Sequence, residues 1–486
     1  MTMGLAGILV ALALLIGLAY RGWSVLLLAP VAALVAALFA GDPLLAHWTQ
    51  TFMGSAAGFV AQFFPIFLLG ALFGKLMDDS GSVRSIAQFI GTKLGARRAI
   101  LAVVIAGALV TYGGVSLFVA FFVLVPMAQA LFREADIPHR LMPAAIVLGT
   151  STFTMSALPG TPAIQNAIPM PFFGTTPFAA PGLGVIASAI MIAFGLWWLA
   201  YREGAARRAG IGYGFEPPVA PGEIAEDSVV RERATASREF DPAELQHGKR
   251  SETQPTILVA ALPLVIVVTV NLLMSMVVLP RMDVDFLADE RWGATSLASV
   301  GGVWSVVVAL VVAIVVLVAL NRSRLTDLRA SMDAGANASV LPAVGVASLV
   351  GFGAVVAALP AFELVREWVL TLDGGPLVSL AVSTNVLAAL TGSASGGLTI
   401  ALDALGGTYM QLAAELGIDP ALMHRVAVIG AGTLDSLPHN GAVVTLLAVC
   451  GSTHGKSYFD IVMVGIVGAI IALVAVIVLG TMFGSF

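Results

Sequence analysis

Residues 414–434, AELGIDPALMHRVAVIGAGTL, match residues 133–153, READIPHRLMPAAIVLGTSTF, at one constant offset. That offset separates Gly149 from Gly430, Thr152 from Thr433 and Met142 from Met423, and equally Gly54 from Gly335 and Gly70 from Gly351. After a short gap, SALPGT (156–161) meets SLPHN (436–440). Ala and Leu coincidences are cheap in an apolar chain. The shared Glu, Ile, Leu-Met, Gly, Thr and Ser-Leu-Pro positions are not, so the chain reads as two copies of one unit.

The medium of that unit follows from composition. The 486 residues are 58% hydrophobic and 11% charged, with mean hydropathy +0.96. Soluble chains are about 25% charged. The expectation is an all-α polytopic membrane protein embedded in a lipid bilayer. The slightly acidic balance and the lack of a basic block exclude a nucleic-acid partner. A single cysteine, Cys450, excludes an internal disulfide framework and a multi-cysteine metal site, and no cofactor motif is present. The N-terminal run lacks a basic n-region and a small-residue cleavage site, so it reads as a retained first span.

Runs of about 17–25 apolar residues cross a bilayer as helices. They fall near 3–20, 24–41, 55–77, 178–201, 256–280, 296–320, 335–358 and 459–484. Orientation follows Lys and Arg in the loops. Arg21, Arg84, Lys93, Arg97, Arg98, Arg133, Arg140, Arg322, Arg324 and Arg329 mark the cytoplasmic side, together with the polar segment 202–255. The acidic loop 281–295 and the segments 359–374 and 414–420 are expected outside. By this rule 55–77 runs inward and its partner 335–358 runs outward. The second copy is therefore inverted, and the expected domains are 1–201 and 256–486, joined by a cytoplasmic linker, 202–255.

The run 99–132 is basic at both ends and carries TYGG (111–114) in its middle. A re-entrant hairpin satisfies both facts. Irregular backbone at that depth is tolerated only against protein or a water-filled cavity. The repeat places a second hairpin near 375–413, with GSASGG (392–397) at its tip. Broken helices are expected at about 141–170 and 420–451, around GTSTFTMSALPGTP and GTLDSLPHNGAV. Proline removes a helical donor and glycine permits sharp turns. Inverted repeats with broken helices meeting at the midplane are the plan of secondary transporters.

The candidate substrate residues follow from that plan. They are Thr111, Tyr112, Gly113, Gly114 and Ser116 at the first tip; Ser151, Thr152, Thr154, Ser156, Thr161, Gln165 and Asn166 at the first break; Ser393, Ser395, Gly396, Gly397 and Thr399 at the second tip; and Thr433, Ser436, His439 and Asn440 at the second break. Each has a structural alternative: Ser and Thr back-bond to their own helix, Asn stabilises turns, and glycine serves tight turns. Asp435, His439 and Asp403 are the candidate coupling groups. A carboxylate inside a membrane is a functional candidate by default, although Asp435 also suits a helix cap. Arginine is scarce at the inferred midplane, so a substrate carboxylate is expected to rest on amides, hydroxyls and helix ends.

The tip YGGVSLFV, the break GTSTFTMSALPGTPAIQN, the hairpin TGSASGGLTIALDALGG and the run GTLDSLPHNGAVVTLL followed by CGSTHGKSY together resemble the gluconate permease (GntP) family of the ion transporter superfamily. The resemblance covers most of the chain outside 202–255. It implies a multi-pass carrier of the bacterial inner membrane that takes up small hydroxy-monocarboxylates with protons, working as a homodimer. The SLPHNGAV form is similar to the β-hydroxybutyrate permeases, so 3-hydroxybutyrate is expected ahead of gluconate. Hydroxyls and carbonyls serve Na⁺ as well, so sodium coupling stays open beside the proton. A channel for small organic anions is a further alternative. An intramembrane enzyme is disfavoured because no HExxH, GxSxG or paired-Asp protease pattern accompanies Asp435 and His439.

Overall fold

In the computed structural model every regular element is a helix among the residues described, which are 2–19, 23–214, 248–370, 374–438 and 440–486. Seven of these helices are long and apolar enough to cross a bilayer: Leu44–Asp79, Leu117–Glu134, Pro181–Arg208, Ile257–Arg281, Leu297–Leu320, Leu328–Ala358 and His454–Phe483. Thr2–Ala19, Val25–Ala40 and Gly375–Thr391 are further apolar helices. In hydrocarbon each backbone N–H and C=O must be satisfied within its own segment, which a helix does. The chain is an all-α polytopic membrane protein.

The long helices Leu44–Asp79 and Leu328–Ala358 cross antiparallel. A Cβ on Gly335 would lie 3.0 Å from the Cα of Leu72, and one on Gly351 would lie 2.8 Å from the Phe52 carbonyl. The two helices thus touch with rising number on one against falling number on the other. Thr2–Ala19 and Val25–Ala40 form a separate apolar layer. Their buried Ala29, Ala32, Ala36 and Ala37 pack with Phe352, Val355 and Leu359 of the second half.

Each half contains a helical hairpin. Ala99–Tyr112 and Leu117–Glu134 meet at residues 113–116, where Gly114 takes φ +97°. Gly375–Thr391 and Ala394–Leu416 meet at Gly392, φ +65°. L side chains rarely adopt this left-handed region. Against each hairpin lies the helix that leads into its break, Met142–Thr150 in the first half and Pro420–Ala431 in the second. The contact uses the repeat-related glycines. A Cβ on Gly149 would lie 2.5 Å from the Val104 carbonyl, and one on Gly430 2.5 Å from Thr384 Oγ1.

Three boundaries differ from the sequence reading. Helix Pro181–Arg208 runs past 201, so residues 202–208 belong to a span rather than a linker. Arg202 holds this turn in place through Asp460, 2.8 Å away, which also accepts from Trp198 Nε1. Second, the basic stretch containing Arg84 and Lys93 is not a loop. It forms the amphipathic helix Ser82–Leu94, bent 97° from the segment Ala96–Tyr112. Third, the described ends of the linker are docked. Tyr213 N donates to Asp136, and Ser251 N to the Asp79 carbonyl. Arg250 pairs with Asp78 at 2.9 Å. Beneath this strap Lys75 and Asp79 form a buried pair at 3.0 Å, and Ser331 donates to the other Asp79 oxygen at 2.6 Å.

Candidate transport site

The breaks fall where glycine and proline placed them. After Met142–Thr150 the chain turns at 151–152, makes the single turn Phe153–Ser156, and becomes irregular until Ile164–Ala167 and Pro169–Phe173. In the second half Pro420–Ala431 stops and Gly441–Val449 restarts. Asn440 caps that restart: its Oδ1 accepts from Ala442 N at 2.7 Å. Each break is tied to the tip of its own hairpin. Tyr112 donates its hydroxyl to the Pro159 carbonyl at 2.7 Å, and Asn440 Nδ2 donates to the Gly392 carbonyl at 2.8 Å.

Both tips and the first break enclose a cavity of about 180 Å³. Thr111, Gly114 and Ser116 come from the first tip, Met155 and residues 162–165 from the break, and Ser395 from the second tip. Ile66, Phe67, Leu310, Pro342 and Val346 complete an apolar wall. Two helix N-termini reach this space, Leu117–Glu134 beside Ser116 and Ala394–Leu416 through Ser395. Helix N-termini carry partial positive charge and unsatisfied N–H groups, which suit an anion.

A second space, about 20 Å³, lies beside the first. Ser151, Gln165, Asp435, Ser436 and Asn440 line it, and Leu117, Met155 and Gln165 are common to both. Ser436 Oγ donates to Asp435 at 3.2 Å.

Thr111, although it lines the larger cavity, and most of the other expected residues are held within their own helices or turns. Thr111, Thr152, Thr154, Ser156, Thr399 and Thr433 each donate to the carbonyl four residues earlier. Thr111 Oγ1 also lies 3.2 Å from Thr154 Oγ1. Thr161 accepts from Ala163 N, and Ser393 caps its helix by accepting from Gly396 N. Gly113 admits Leu264, and Gly396 and Gly397 admit Leu349 and Ala388. None of Tyr112, Gly113, Thr152, Thr154, Ser156, Thr161, Asn166, Ser393, Gly396, Gly397, Thr399 or Thr433 lines either space. Asp403 is exposed on the second hairpin arm and lines neither. His439 lies outside the described residues.

The scarcity of arginine is corrected by one residue. Arg425 is fully buried, two turns before the second break. Its guanidinium donates to the Ala179 carbonyl at 2.8 Å, the Ser156 carbonyl at 3.3 Å and Asn166 Oδ1 at 3.4 Å. Next to it, His424 bonds Thr175 Oγ1 at 2.6 Å and Asn166 Oδ1 at 3.2 Å. Asn166 Nδ2 in turn donates to the Thr161 and Pro177 carbonyls. Asn166 is therefore a hub that locks the irregular part of the first break onto the second half. The signal for Arg425 was present in the sequence: a charge within the apolar run LMHRVAVIG, where membrane burial is costly.

The model of the GntP family permeases matches residues 1–172. An uncharacterized transporter of Bacillus subtilis (strain 168), YxjC, is 41% identical over 480 residues, 96% of this chain and 98% of that one. The chain belongs to the GntP permease family. This permease is a multi-pass membrane transporter and not an enzyme. The high-affinity gluconate transporter of Escherichia coli (strain K12) is 34% identical over 143 residues, 28% of this chain and 31% of its own length. Among solved structures, Neisseria gonorrhoeae MtrF, presented as illuminating a class of antimetabolite efflux pumps, is similar with a TM-score of 0.55. That similarity covers 91% of this chain and 85% of MtrF at 14% identity, and extends to the fold alone.

Proposed function

We propose that this permease takes up a small hydroxy-monocarboxylate, such as 3-hydroxybutyrate or gluconate, by proton-coupled symport with alternating access. The observation that carries the proposal is the cavity of about 180 Å³ with a helix N-terminus from each hairpin reaching it. Pockets for drug-sized ligands run from about 300 to 1,000 Å³, so this one suits a small solute. Its hydroxyl-bearing residues, Thr111, Ser116, Ser339 and Ser395, match a solute carrying both a carboxylate and a hydroxyl. On this reading the two halves are inverted repeats, and the hairpins around the first tip and around Gly392 are re-entrant. Asp435 couples the cation, and Arg425 and Asn166 set the shape of the break. The protein sits as a homodimer in the bacterial cytoplasmic membrane.

The test is uptake of labelled hydroxy acids into proteoliposomes under separate proton and sodium gradients. Saturable accumulation driven by an inward proton gradient, competed by 3-hydroxybutyrate and showing counterflow, is expected. Accumulation driven by sodium alone replaces the proton in this scheme. Non-saturable flux without counterflow makes the protein a channel and overturns it.

A further inference from the structure

The larger cavity, shared by the two hairpin tips and the first break, contains one polar side chain that the fold leaves unanswered. Gln165 lines this cavity and is 6% exposed, and its Oε1 is buried without a hydrogen-bond partner. Native folds rarely leave such an acceptor unmatched, so it marks a place where a ligand bonds. Most other polar side chains of the lining have spent their protons or are paired. Thr111 donates to the Gly107 carbonyl at 2.9 Å and Ser339 to the Ala336 carbonyl at 2.6 Å, and Ser395 Oγ pairs with Ser393 Oγ at 3.1 Å. Ser116 differs: it precedes Leu117–Glu134 and makes no side-chain cap bond to it. No charged side chain lines the cavity among the described residues.

An unmet acceptor needs a proton from its ligand. An ionised carboxylate has none to give, whereas a hydroxyl has. The carboxylate end of a solute is suited instead to the start of Leu117–Glu134, where the helix carries partial positive charge and Ser116 stands. We propose that Gln165 is the specificity residue for the solute's hydroxyl: its Oε1 accepts the hydroxyl proton while the carboxylate lies at the start of Leu117–Glu134. One unmet acceptor serves one hydroxyl. Further hydroxyls on a longer chain would face Ile66, Phe67, Leu310, Pro342 and Val346, and a polar group buried without a partner is costly. An acid without a hydroxyl leaves Gln165 unanswered, and a site built to bond a substrate hydroxyl discriminates against the analogue that lacks it. The cavity thus selects a short acid with a single hydroxyl over both the unsubstituted acid and a polyhydroxylated one. The inference rests on the hydroxy-monocarboxylate reading and names within it the side chain that reads the hydroxyl.

The test is binding, read from the thermal stabilisation of the purified full chain titrated with 3-hydroxybutyrate, butyrate and gluconate at one pH and one sodium concentration. The native chain is expected to half-saturate with 3-hydroxybutyrate at a concentration about tenfold or more below that of either other acid, tenfold being 1.4 kcal/mol. Gln165→Met keeps the length of the side chain and removes its polar end. This variant should bind butyrate at least as tightly as the native chain does and lose most of the preference for 3-hydroxybutyrate. A side chain that only shapes the break, or that holds the carboxylate, would weaken both acids alike, and equal weakening in Gln165→Met overturns the assignment. A native chain that binds butyrate or gluconate as tightly as 3-hydroxybutyrate overturns it as well. Should Gln165→Met not fold, the same comparison is made in Gln165→Leu, and the native panel is a test by itself. If none of the three acids binds, the hydroxy-monocarboxylate reading falls and the inference with it. Acids bound without a preference for the hydroxyl overturn the inference alone.

Discussion

On the proposed mechanism, Asp435 is the residue on which coupling turns. A charge near the centre of a membrane helix costs about 2.5–3.5 kcal/mol, so a carboxyl there is affordable either protonated or matched by a cation and donors. Ser436 supplies one donor. Replacement by Asn keeps the shape and one oxygen but removes the charge and the titration. Asp435→Asn is expected to fold, to bind substrate and to exchange it across the membrane, while failing to accumulate it against a gradient. Full ion-driven accumulation by the variant would make Asp435 structural. Loss of the folded protein, read from its elution profile in detergent, would assign it to capping. The same residue scale shows why hydroxyl-rich motifs over-report a site. Six of the Thr and Ser candidates spend their proton on their own helix, a preference that sequence cannot distinguish from ligation. Ser116, Ser151 and Ser395, beside a turn or at a helix start, escape it and line the two spaces.

At the scale of elements, the breaks depend on close approach of backbones. Gly149 and Gly430 occupy the same place in the two copies, each pressed on the first arm of its own hairpin. Gly54 and Gly70 align just as well with Gly335 and Gly351 in sequence, yet have nothing within 4 Å, whereas their partners touch Leu72 and Phe52. For these two pairs the proposed repeat is legible in register but not in contacts, because only one member of each faces the other half. Ala substitutions separate the two classes. Gly149→Ala and Gly351→Ala meet backbone carbonyls at 2.5 and 2.8 Å, and overpacking of this kind costs about 1–3 kcal/mol. Gly54→Ala and Gly70→Ala should be neutral or slightly stabilising, since Gly weakens a helix by about 1 kcal/mol relative to Ala. Melting temperatures in one detergent measure both. Equal losses at all four positions would contradict the packing described. Arg425 belongs to this scale as well. Its partners, the Ala179 and Ser156 carbonyls, lie far away in sequence, and no local pattern reveals which chain segments a buried guanidinium will join.

For the whole molecule, the spans were legible because hydrocarbon imposes one length and one composition on any crossing helix. The turn at residues 209–214 and the amphipathic helix Ser82–Leu94 were not, since polar residues at a membrane surface look alike whether coiled, helical or docked. In the proposed mechanism, opposite orientation of the halves is the property from which alternating access follows: a site shared between inverted copies opens to either side by the same motion. Leu44–Asp79 and Leu328–Ala358 crossing antiparallel supports it. Glu134 and Glu415 are repeat-related, and both are exposed just before a break-bearing segment. Cysteines placed there meet little background, because Cys450 is buried. In intact cells a membrane-impermeant maleimide should label Glu415→Cys at once and Glu134→Cys only after the membrane is opened, as the basic residues around Glu134, namely Arg133 and Arg140, require of a cytoplasmic loop. Labelling of both from the same side would make the copies parallel. The two breaks would then no longer be related by an axis in the membrane plane, and a shared site between them would lose its route to alternating access.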